Sequence, residues 1–125
     1  MGIKARGRQM ANATDGGNTF TFDTTGTKYT EWYDVSMLDE LITFVEATWT
    51  SKSGATLDVS LEIKNPFTGT AFDPSSAHTQ LTNTGSNFKQ HSSFGTVIRL
   101  KLVAGGAFGA GEEIAVSVYY VGKSP

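Results

Sequence analysis

The sequence predicts an all-β domain: an antiparallel two-sheet sandwich of about eight strands, of jelly-roll or Greek-key type, with an extended N-terminal arm. Three observations predict it. Polar and apolar residues alternate with period two from Thr19 onward, the spacing of strands with one face inward. Breaker clusters such as Thr25-Gly26, Ser51-Lys52-Ser53-Gly54 and Asn65-Pro66 punctuate the chain at the intervals of roughly 8–12 residues seen in sandwiches. Finally, 14 glycines, abundant serine and threonine and only 18 % charged residues suit short strands joined by tight turns rather than helices or disorder. With 125 residues, 38 % of them hydrophobic, the chain has material for one core.

Taken in order, residues 1–18 show no period and end in Asp15-Gly16-Gly17-Asn18, so they read as an arm, with the sandwich over 19–125. Thr19–Asp23 places Phe20 and Phe22 on one face, and Lys28–Asp34 follows. Ser36–Glu40 has a capping serine and two acids, enough for a corner of about one turn. Leu41–Thr50 reads as a long strand with Leu41, Thr43, Val45, Ala47 and Trp49 on one face. Ile42 and Phe44 make its other face partly apolar as well, the mark of a central strand. Thr56–Lys64 is the clearest half-buried strand, with Leu57, Val59, Leu61 and Ile63 inward and Asp58, Ser60, Glu62 and Lys64 outward. After a long connection, Phe67–Ala77, two short strands are expected near Thr79–Asn83 and Asn87–His91. Thr96–Ala104 buries Ile98, Leu100 and Leu102; Gly105–Gly111 reads as a loop; Glu112–Val121 aligns Ile114, Val116, Val118 and Tyr120. No internal repeat suggests a solenoid or propeller.

Charge is uneven along the chain. Residues 1–14 hold Lys4, Arg6 and Arg8 and no acid, a charge of +3, whereas the rest holds seven basic and twelve acidic groups, −5. A basic arm on an acidic body favours contact with an acidic surface. Ile3 and Met10 are the arm's candidate apolar anchors, and Lys4, Arg6 and Arg8 its candidate electrostatic contacts. The first residues lack the apolar run of a signal peptide, and no stretch approaches the roughly 20 apolar residues of a membrane span. Synthesis in the cytosol and no membrane partner are therefore expected.

Catalytic chemistry finds little support. Without cysteine there is no disulfide, thiolate metal site or cysteine nucleophile. His78 and His91 lie in polar segments without ligand spacing and read as surface histidines. Asp39-Glu40 and Glu112-Glu113 are neighbours whose side chains alternate across a strand, so they read as solvated strand ends rather than carboxylate dyads. The glycine run at 105–111 lacks the Lys-Ser/Thr ending of a phosphate loop and leads into a strand rather than a helix. An acidic body argues against nucleic acid. Trp32, Tyr33 and Trp49 are candidates for stacking on sugar rings if exposed, and otherwise core. The expectation is a protein that is not an enzyme and needs no metal, cofactor or small-molecule substrate.

The run Asp34-Val35-Ser36 through Leu41-Ile42-Thr43-Phe44-Val45-Glu46, followed by Ser53-Gly54-Ala55-Thr56-Leu57-Asp58-Val59, resembles small head proteins of tailed bacteriophages whose genes accompany the major capsid gene. Phe94-Gly95-Thr96-Val97-Ile98-Arg99-Leu100, with Gly105-Gly106 and the closing Ile114–Val121 strand, is similar to the C-terminal half of the same group. The resemblance covers about residues 30–121. It implies a capsid decoration, or cement, protein: a β-sandwich, often a homotrimer, sitting on the outer surface of the expanded head and clamping neighbouring major capsid protein subunits. The chain departs from the group over Lys64–Ala77, where Asn65-Pro66-Phe67-Thr68-Gly69 replaces an Asp-Gly-rich hairpin. A carbohydrate-binding or host-adhesion module is the alternative.

Overall fold

The computed structural model describes residues 4–124; Ile3, one of the expected anchors, lies outside them. Ten strands form: β1 (Lys4–Gln9), β2 (Phe20–Phe22), β3 (Gly26–Tyr29), β4 (Tyr33–Asp34), β5 (Glu40–Thr50), β6 (Gly54–Lys64), β7 (Ala71–Phe72), β8 (Gly85–His91), β9 (Val97–Ala107) and β10 (Glu113–Ser124). The first sheet runs β1-β10-β5-β8, with β2 also on β10, and the second runs β3-β9-β6-β7, with β4 also on β9. All pairings are antiparallel. Since β5 takes one flank of β10 and β6 one flank of β9, the pairs β1/β2 and β3/β4 each share a single strand position. With these as interrupted strands, eight positions remain. The first, eighth, third and sixth make one sheet and the second, seventh, fourth and fifth the other, which is jelly-roll winding.

The alternation that predicts the strands also selects the core. Leu41, Thr43, Val45, Ala47 and Trp49 of β5 are buried, as are Leu57, Val59 and Leu61 of β6, Ile98, Leu100 and Leu102 of β9, and Ile114, Val116 and Val118 of β10. Ile63, near the end of β6, is only partly buried. The expected Lys28–Asp34 strand is broken at Thr30, whose hydroxyl accepts from Leu100 N (2.9 Å) where a carbonyl would in a regular ladder. The Gly105–Gly111 loop starts later than expected, because β9 continues to Ala107 opposite Gly54. Gly106 permits this with a φ of 73°; a Cβ there would collide with the Gly54 carbonyl.

Two further parts of the chain differ from their reading in the sequence. The segment expected as an arm outside the core is, from Lys4 on, part of the sandwich. β1 pairs with β10 from Lys4 opposite Ser124 to Gln9 opposite Tyr119. Met10 N then donates to Val118 O at 2.9 Å, and the Met10 side chain is fully buried. Asn12, also buried, organises the turn that follows, its Oδ1 accepting from Thr14 N and Asp15 N at 2.9 Å. The strand expected near Thr79–Asn83 is instead an irregular edge beside β6, bridged only at Ala77 opposite Ser60 and Leu81 opposite Leu57. β7 and this edge together occupy one jelly-roll position.

Candidate protein-interaction face

Because β5 turns its odd-numbered residues inward, its even-numbered ones face outward, and the register aligns them with outward residues of the neighbouring strands. Tyr119 of β10, Phe44 of β5 and Phe88 of β8 stand in one row; Val121, Ile42 and Gln90 stand in the next. Gln9 of β1 extends the first row beyond Tyr119. Phe88 is 66 % exposed, and its ring lies 6.2 Å from that of Phe44, tilted by 41°. The first row, with Val121 of the second, floors an open concavity of about 660 Å³ bordered by Arg8, Gln9, Glu46 and Ser86. Contiguous apolar side chains on the solvent face of a sheet are a signature of protein contact. Sequence reading reached half of this signal, the apolar outer face of Leu41–Thr50, but not the cross-strand register that adds Tyr119 and Phe88.

The expected site residues separate. Lys4 opens β1, while Arg6 and Arg8 are exposed opposite Gly122 and Tyr120, at the edge of the sheet; Arg8 borders the concavity and Arg6 does not. The Arg8 guanidinium lies 5.0 Å from the Tyr33 ring centroid, a cation–π distance. Met10 cannot anchor a partner, because this chain's own core encloses it.

The aromatics proposed for sugar stacking are not free. Trp49 and Tyr33 are 8 % exposed. Trp32 has Arg99 at 4.3 Å and Lys64 at 4.9 Å from its ring centroid. Arg99 also lies 4.0 Å from the Tyr29 ring and bonds Glu62 at 2.8 Å. These groups satisfy one another on the outer face of the second sheet.

His78 and His91 are not surface histidines. Both are buried, and both Nε2 atoms converge on Thr43 Oγ1, at 2.6 and 2.8 Å. Asn87 Nδ2 donates to Thr79 O at 2.9 Å, which turns Asn87 Oδ1 toward His78 Nδ1, 2.6 Å away. That oxygen can only accept, so the neutral His78 carries its proton on Nδ1 and its Nε2 accepts from the Thr43 hydroxyl. Thr43 Oγ1 in turn accepts from His91 Nε2, and His91 Nδ1 accepts from Ser76 Oγ at 2.6 Å. With both rings neutral, every bond runs in one direction from Ser76 to Thr79. Burial holds both imidazoles below their ordinary 6.5. His91 falls to about 4, with the charges of His78 and Lys89 adding to the effect. Thr43–His78–Asn87 has the connectivity of a nucleophile, base and orienting group, but Thr43 has no exposed surface, so its hydroxyl is closed to substrate.

Glu112, expected as a solvated strand end, is buried. Its carboxylate accepts from Trp49 Nε1 (3.2 Å), Ala55 N (3.1 Å) and Gly109 N (2.9 Å). Burial opposes ionisation, but these donors and Ser53 N outweigh it and hold the carboxyl below its usual range. The side chain is committed to joining the β5–β6 and β9–β10 turns.

No family model and no curated protein sequence matches the chain. Among solved structures, it is similar to the SPBc2 prophage-derived protein YomS, with 11 % identity and a TM-score of 0.54 over 99 % of this chain and 96 % of that one. A structure titled PirA gives 11 % identity and a TM-score of 0.49 over 93 % of this chain and 92 % of the other. A structure of infectious bursal disease virus, Gx strain, gives 15 % identity and a TM-score of 0.48 over 99 % of this chain but only 38 % of the viral chain. At 11 % identity, the likeness to the prophage-derived protein is one of fold.

Proposed function

We propose that this protein is a structural virion component that binds the assembled phage head and stabilises it by clamping neighbouring major capsid subunits. The observation that carries this reading is the apolar outer face of the first sheet, Tyr119, Phe44, Phe88, Val121 and Ile42, beside a free strand edge bearing Arg6 and Arg8. The resemblance to phage head proteins supplies the partner, and a sandwich fold similar to that of a prophage-derived protein accords with it. Lys4, Arg6 and Arg8 add attraction to acidic capsid groups, and a homotrimer on the outer capsid surface provides multivalent attachment. A subunit that binds only the assembled shell stabilises it by mass action, and several contacts at a symmetric position multiply the effect.

Binding to undecorated expanded heads tests the proposal. Phe88→Asp should leave the thermal transition nearly unchanged, since Phe88 is mostly exposed, while weakening binding about tenfold or more. Changing Arg6 and Arg8 to alanine should weaken binding less, and chiefly at low salt. Equal affinity of the Phe88 variant and the wild type would reject this face as the contact.

The aromatic row in an open concavity also favours a second reading, a carbohydrate-binding module that stacks sugars on Tyr119 and Phe44. A glycan array distinguishes them, because this reading requires a glycan signal that Tyr119→Ala abolishes.

A further inference from the structure

The connection between β7 and β8 is attached to the two sheets by different means. Its backbone belongs to the second sheet: Leu61 N donates to Ser76 O (2.9 Å), His78 N to Val59 O (2.9 Å), and Leu57 and Leu81 exchange bonds of 2.8 and 2.9 Å. Its side chains reach the first sheet: His78 bonds Thr43 of β5 and Asn87 of β8, and Ser76 bonds His91 of β8. The sheets are therefore joined along this edge by polar bonds that pass through two imidazoles.

We propose that Ser76, His78, Thr43 and His91 form an acid-sensitive clasp, whose protonation frees the 73–81 connection from the first sheet, so that it frays from β6 as well and opens this edge of the sandwich. The hydrogen-bond geometry supplies the mechanism. A proton on His91 Nδ1 keeps a hydrogen-bond partner, because the Ser76 hydroxyl can rotate to accept it, and is opposed only by burial and by the charges of His78 and Lys89. A proton on His78 Nε2 cannot, because Thr43 Oγ1 would then face two N–H donors and its own proton would lose its acceptor. The second cation would also form beside the first, with ring centroids 6.2 Å apart.

Among the described residues no carboxylate bonds either ring. Lys89 of β8 is the charged side chain acting on both rings, and it opposes their protonation. On β6, Val59 and Leu61, whose backbones bond the connection, are buried and apolar. On β10, Tyr120 stands opposite Thr43 in register, with its ring 5.4 Å from that of Tyr33. In the connection, Asp73 is engaged with Ser75 N at 2.7 Å.

In the opened edge both rings are hydrated and recover their ordinary basicity, so acid favours opening. With His91 at about 4 when closed and 6.5 when open, that residue alone raises the open population about thirtyfold at pH 5.

Amide hydrogen exchange of the full chain between pH 7.5 and 5, corrected for intrinsic rates, tests the clasp. The amides of Leu57, Leu61, His78 and Leu81 should gain roughly thirtyfold in exchange at pH 5, while those in the centres of β9 and β10 gain much less. The His78→Gln, His91→Gln double variant should lose the acid response. If that variant does not fold, the imidazole C–H signals of the wild type decide, since they must titrate together with the opening. Exchange of these four amides that is independent of pH, an equal gain in β9 and β10, or imidazoles that titrate near 6.5 without opening would each overturn the proposal.

Discussion

Replacing Met10 by alanine tests whether the N-terminal segment belongs to the core. Met10 has no exposed surface and follows directly on β1, with its amide bound to Val118 O. The substitution removes three heavy atoms from the core. At about 0.8 kcal/mol per methylene equivalent, the transfer loss is about 2.4 kcal/mol. The cavity left behind raises the cost to about 3–4 kcal/mol, within the range for buried methionines. Urea unfolding followed by tryptophan fluorescence should show that loss as a lower midpoint at unchanged slope, and the melting temperature should fall by about 10 °C. Arg6→Ala, on the same segment but exposed, should change stability by less than about 0.5 kcal/mol. A loss below about 1 kcal/mol for Met10→Ala would refute the burial, and with it the inclusion of residues 4–10 in the sandwich.

Gly122→Ala should destabilise by about 1–3 kcal/mol, the cost of overpacking, because a Cβ there would lie 2.8 Å from Glu40 O and collide with the Leu38 side chain; a neutral result in urea unfolding would contradict the packing of β10 on the 36–40 corner. Glu112→Gln should lower the unfolding midpoint, because an amide nitrogen replaces an oxygen within a cluster of N–H donors. The Glu112 carboxyl sits below its ordinary 4.5 when folded, so its contribution is complete above that value and is lost as pH falls through the lower folded one. The gap between wild type and variant should therefore be constant above about pH 6 and close in acid, and a gap that widens in acid would reverse the assignment.

Burial made much of this fold legible in the sequence. β6 alternates strictly in polarity, and β5 in burial, because one face of each meets the opposing sheet. β1 gave no such signal: Lys-Ala-Arg-Gly-Arg-Gln lies at a sheet edge, where no apolar residue is needed. Its place is fixed by backbone bonds to β10, which leave no trace in side-chain identity. The 77–81 edge departs from the strand expected near Thr79–Asn83 for a related reason, since isolated bridges impose no continuous period. His78 and His91 look like surface residues locally, because their partner Thr43 is 35 and 48 residues away and only the winding of the sandwich brings them together. The interaction face was half visible in Ile42 and Phe44; Phe88 joins it through a register that local pattern does not encode.

The placement of β10 between β5 on one side and β1 and β2 on the other has a consequence for biosynthesis. During translation, β1 waits for a partner more than a hundred residues downstream, and β5 keeps one flank open until the same strand is made. The first sheet cannot close until residues 113–124 have left the ribosome. With so many pairings non-local, folding should take milliseconds to seconds rather than microseconds. A nascent chain arrested before β10 would present the open flank of β5, with apolar residues on both faces, to its neighbours on the polysome. Chaperone demand should therefore peak just before the last strand emerges.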